Sequence, residues 1–256
     1  MISHAIDAER IKLLSTRSPY WCVGIVVVLG ILISILIGVL SSSTATSDAS
    51  DLRDPSFFAI GVSQIGVLVL MIMAVLAVTS EFRFGTIRTT FQAIPRREMV
   101  LGAKAIVYGG LAGVVTLILS VVTIVLGTSL AGDAGSAIDL GGGDAVRQYW
   151  GIPVYAILCV LIGLGVGALV RQTAGAIVIL LIWSLAIETI LSSIPKVKAV
   201  APYLPFNNSA HFLSGDTTNT GGIDYPWGPY GSLLYFALWA IVIFTAGIAL
   251  TQRRDA

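Results

Sequence analysis

Six stretches of about twenty residues run almost without charge: 21–40, 57–78, 105–126, 149–170, 174–194 and 230–250. A helix of about 20 residues, rising about 1.5 Å each, reaches across a ~30 Å hydrocarbon core. Inside lipid every backbone N–H and C=O needs an internal partner, so these runs are expected to be helices. The chain has 256 residues, is 56% hydrophobic and is only 11% charged. Soluble domains carry roughly 25% charged residues. The polar segments between the runs are too short for a separate soluble domain. The expected fold is therefore one all-α, six-span membrane domain over 1–256.

The first run competes with a signal peptide, since Ser43-Thr44-Ala45 fits a small-residue cleavage site. Signal cores are only about 7–15 residues long, and the leader here is acidic as well as basic, so a span is expected. With six spans both termini lie on one side. The N-terminus, the 79–104 stretch, Arg171 and the C-terminus hold eleven of the fifteen Lys and Arg residues. Arg53, Arg147, Lys196 and Lys198 lie on the other side. Cytoplasmic segments carry the excess, which puts both termini in the cytoplasm of a cell-membrane protein. Tyr149, Trp150, Tyr225, Trp227 and Tyr230 then sit at outer span ends, as an aromatic belt does.

Several chemistries are not encoded. The net charge of +1 gives no strong attraction to nucleic acid. Cys22 and Cys159 fall inside different apolar runs and read as small buried hydrophobes. His4 and His211 are too few and too far apart for a metal cluster. There is no Walker loop, H-E-x-x-H or G-x-S-x-G, so no catalytic residue is assigned and the chain is not expected to be an enzyme.

Three polar features stand out. Residues 1–18 can form a short helix, with Ile2, Ala5, Ile6 and Leu13 on one face, lying on the membrane surface; Ser18-Pro19 then favours a turn into the bilayer. The stretch Thr79–Lys104 carries Arg83, Arg88, Arg96, Arg97 and Lys104 against Glu81 and Glu98. Within it 86–93 could form two helical turns between Gly85 and Pro95. Glu81 either pairs with a cation or caps the second span. Glu188 is the one charge inside a run, so it should face protein or water and is a candidate pathway or gate residue. Residues 128–148 are glycine-rich and acidic and read as a loop. So does 195–229, with a short amphipathic turn at 208–213 and an unstructured part near 217–222. Gly109-x-x-x-Gly113 and Gly163-x-x-x-Gly167 allow close helix contact; packing inside the chain, or chance, is the simpler reading than a dimer seam.

The segment E-F-R-F-G-T-I-R-T-T, followed by Pro95, Arg96, Arg97 and the pair Ala103-Lys104, resembles the loop between spans two and three of ABC-2 type transporter permeases. The opening A-E-R-I-K-L-L-S-T-R-S-P-Y-W and Tyr203–Ala210 (Y-L-P-F-N-N-S-A) are similar to that family as well. The resemblance covers essentially the whole chain. It implies an ABC-2 permease fold with an N-terminal interfacial helix and a cytosolic coupling helix. It implies a separate cytosolic ATPase subunit that holds ATP and Mg, with no cofactor in this chain. It implies a second permease, identical or related, meeting this one along the first and fifth spans, and export of a drug, lipid or peptide. Glu81, Phe82, Phe84, Gly85, Thr86, Arg88 and Thr89 would form the ATPase-coupling segment, and the 195–229 region would make outer half-helices. The rival reading is a non-transporting anchor or regulatory subunit that recruits a cytosolic partner through 79–104.

Overall fold

A computed structural model describes residues 2–43, 54–86, 97–136, 138–195, 198–215 and 223–254. Every regular element among them is helical. Among the described residues six helices are long and apolar enough to cross a membrane: Arg17–Ser42, Gly61–Arg83, Glu98–Leu130, Gly143–Val170, Thr173–Ser193 and Pro229–Arg253. They coincide with the six apolar runs, and the chain is a multi-pass, all-α membrane protein.

The fourth span is the hub. It packs most extensively on the second, third and sixth spans. Its apolar window is 72% buried, against 17% for the fifth and sixth spans and 22% for the first. Glycine makes this packing possible. A Cβ on Gly163 would stand 2.6 Å from the Met71 carbonyl, and one on Gly165 would stand 2.8 Å from that of Ile243. Gly109 and Gly113 face Ile157. Both glycine pairs are thus used within the chain, where small residues let backbones approach.

One end of the bundle, here called proximal, gathers both termini. The N-terminal helix Ile2–Ser15 packs on the third span there, and Gln252 hydrogen-bonds Glu98 at its start. The opposite, distal end carries a helix at Pro205–Ser214.

Three local expectations change. The chain does not turn at Ser18-Pro19; it breaks at Thr16, and the first-span helix already begins at Arg17. Proline is tolerated in a first helical turn, where its missing N–H has no intrahelical partner to lose. Residues 128–148 are mostly helical: the third span runs to Leu130, a short turn occupies Asp133–Ser136, and the next helix starts at Gly143. The 195–229 region holds a 3-10 segment at Lys198–Tyr203 and then the ten-residue distal helix, longer than the turn expected at 208–213. The part near 217–222 lies outside the described residues.

Candidate functional site

The proximal site is built from four charged side chains far apart in sequence. Ala5, Glu9 and Leu13 recur every four residues, so they share the inward face of the N-terminal helix. Glu81 lies in the last turn of the second span and Lys104 near the start of the third. Lys104, 2% exposed, donates to Glu9 Oε2 at 2.6 Å and to Glu81 Oε1 at 2.8 Å. Lys12 donates to Glu9 Oε1 and to Glu81 Oε1, both at 2.8 Å. Two carboxylates and two ammonium groups cancel formally. Each is costly to bury alone, and only good geometry offsets that cost. Burial works against the Lys12 ammonium, yet its hydrogen bonds to Glu81 and Glu9 outweigh this and hold its pKa above the ordinary lysine value.

Of the expected coupling segment, Glu81, Phe82, Phe84, Gly85 and Thr86 are described. The helix stops at Arg83, and Gly85 adopts φ +71°, the left-handed conformation that glycine takes without strain. Phe82 lies under the Arg171 guanidinium, 4.6 Å from ring centroid to Cζ. Arg171 itself forms the left-handed turn between the fourth and fifth spans. Thr173, two residues on, donates to Thr79 at 2.9 Å, so that turn is pinned to the second span. Phe84 is 73% exposed. Arg88, Thr89 and all but the first residue of the helix expected over 86–93 lie outside the described residues.

Glu81 therefore pairs with two cations and does not cap the second span, whose helix runs on to Arg83 with Phe84 at its C-cap. Glu9, Lys12 and Lys104 had no assigned role in the sequence beyond matching a motif. The available signals were the i, i+3 pair Glu9–Lys12 and a lysine opening an apolar run.

The distal site is built around Glu188. Its side chain is buried and aimed at the distal helix. Oε1 accepts the Phe206 N–H at 3.1 Å and Oε2 accepts the Asn207 N–H at 2.7 Å. A helix N-terminus has unpartnered N–H groups and partial positive charge, so a carboxylate there is favoured. The other end of this helix meets a cation. Arg147 donates to the Leu213 and Ser214 carbonyls at 3.4 and 3.2 Å, and Gln148 donates to Leu213 as well. Both ends of the helix dipole are thus complemented by other elements.

Aromatic residues expected as a membrane belt also hold this helix: Trp150 packs on Phe212, and Tyr225 stacks on His211 at 3.9 Å. Trp227 donates to Asn208 at 2.8 Å. Burial first, and the Glu188 charge second, push the Tyr225 phenol up to about 12. A cavity of about 160 Å³ opens beside Glu188, bordered by Gln64, Tyr155, Ser184, Asn207 and Ser209.

Among the described residues no group of His, Cys, Asp and Glu could hold a metal ion. Comparison with models of known protein families and with curated proteins finds no match to this chain.

Proposed function

We propose that this chain is the membrane-spanning permease subunit of an ATP-binding cassette exporter, with the ABC-2 fold. It sits in the cell membrane with both termini in the cytoplasm. A separate nucleotide-binding subunit carries ATP and Mg. A second permease, identical or related, lies against the weakly buried first and fifth spans. The substrate is lipophilic or amphipathic and moves by alternating access.

The observation that carries this reading is the Glu9–Lys12–Glu81–Lys104 cluster. A cytosolic ATPase has to move membrane helices through the 82–103 stretch. The cluster ties both ends of that stretch to each other and to the N-terminal helix through three ion pairs of 2.6–2.8 Å, with a fourth, Lys12–Glu9, inside the N-terminal helix. Displacement of the stretch is then delivered to three elements together rather than lost in a slack loop. A partner with different affinity for two arrangements of the helices shifts their populations in this way. The exposed Phe84 offers that partner an apolar contact.

Capture of the tagged chain from its native membrane, with an ATPase assay of what accompanies it, tests the proposal. A stoichiometric cassette ATPase, lost on Phe84→Ala or Arg88→Glu with insertion intact, is expected. An inserted chain that brings no ATPase in mild detergent sinks the transporter reading and favours the anchor or regulatory subunit.

A further inference from the structure

The distal cavity joins a single carboxylate to neutral polar and aromatic walls. Its walls come from the second, fourth and fifth spans and the distal helix, and Glu188 is its one charged lining residue. No Lys, Arg or His lines it. Both Glu188 oxygens accept backbone N–H groups. The remaining polar lining is neutral, from Gln64, Tyr155, Ser184, Asn207 and Ser209, and the Tyr155 and Phe206 rings add aromatic wall.

A second, independent feature converges on the same place. Two of the spans depart from α geometry, with π turns at Gly61–Gly66 and Ile182–Ile187. Such turns are rare and often mark functional sites. Gln64 lies in the first and Ser184 in the second, and Glu188 directly follows the second. Gln64 and Thr189 are exposed, so the cavity is reached from outside the bundle.

We propose that this cavity is a subsite for the ammonium group of a cationic amphiphile, an inference that rests on the permease reading for its role in transport. A volume of about 160 Å³ accepts a small ammonium head but not a whole amphiphile. The carboxylate supplies the attraction, the aromatic rings a cation–π surface, and the apolar remainder of the ligand stays outside the cavity.

The test uses the full-length chain in membrane vesicles, with Cys22→Ala and Cys159→Ala, and Ser184→Cys as reporter. Thiol modification rates are compared for a trimethylammonium-ethyl and a sulfonato-ethyl thiosulfonate, each normalised to a free thiol. A single charge acting at close range should make the cationic reagent faster, with the preference falling at least about tenfold in Glu188→Gln. An unchanged preference, or a reporter that no reagent reaches, overturns the proposal.

If Glu188→Gln fails to insert, the Glu188 chain still decides the matter. Benzyltrimethylammonium should slow modification by an uncharged thiosulfonate, while benzyl alcohol at the same concentration does not; equal effects overturn the proposal. A cation preference in a chain that captures no ATPase keeps the subsite and removes the permease reading. A captured ATPase with no cation preference does the reverse.

Discussion

The two ends of the bundle solve one problem in two ways. Each buries carboxylate in a molecule that is mostly hydrocarbon. At the proximal end Glu9 and Glu81 are neutralised by lysine ammonium groups. At the distal end Glu188 is hydrogen-bonded by two N–H groups at a helix N-terminus, which offset only part of its charge. Lysine brings a full charge on a long stem, so one Lys104 can reach two elements 95 and 23 residues away. A helix terminus brings a partial charge fixed to its own backbone, so it holds one short element. The first arrangement fastens distant parts of the chain, and removing its buried Lys104 leaves two glutamates short of a partner. The second fastens a lid-sized piece, and its failure stays local.

The largest expected effect attacks the lysine side. Lys104→Met leaves two buried glutamates with only the half-exposed Lys12, and should cost about 3–5 kcal/mol, read as a lower unfolding midpoint in detergent. Adding Glu9→Gln should return much of that loss; a strictly additive double mutant would mean the residues act independently and would break the comparison.

Next comes Glu188→Ala, which strips the distal helix of its acceptors at a cost of about 1–3 kcal/mol. The loss should appear as faster proteolysis confined to 195–229. A global drop as large as that of Lys104→Met would show that the distal end is not local after all.

Arg147→Ala should be milder, about 0.5–1.5 kcal/mol, seen as faster amide exchange over 205–215. Lys12→Gln should be smallest, below about 1 kcal/mol, because its side chain is 40% exposed and its pairs are screened by water. Its pH dependence has a definite sign. The folded pKa is raised, so the Lys12 contribution is complete below the ordinary lysine value of 10.5 and is lost as pH rises through the higher folded value. Alkaline titration of wild type against Lys12→Gln should show the two curves converging only above that point.

The sequence made some of this legible. Span number and position followed from charge-free length, which lipid enforces residue by residue. Glu81 and Glu188 were marked because a carboxylate in or beside an apolar run must find a partner. Which partner was beyond local pattern: Glu9 meets Lys104 across 95 residues, a fact of helix packing. The extra helix at 128–148 was missed because glycine and aspartate signal loops, while here neighbouring turns continue the spans. The distal helix was underestimated because the groups that stabilise its ends, Glu188 and Arg147, lie outside it. The contact of Gly165 with Gly247 belongs to no spaced motif, since the two glycines sit on different spans.

The proximal cluster also sets how the protein can tolerate change in length. Glu81 and Lys104 meet at 2.8 Å like the two ends of a closed stirrup. One residue added inside the helical stretch between Glu98 and Lys104 turns the ammonium about 100° around the helix axis, away from both carboxylates. The length of the root is therefore fixed, and it is counted in helical turns.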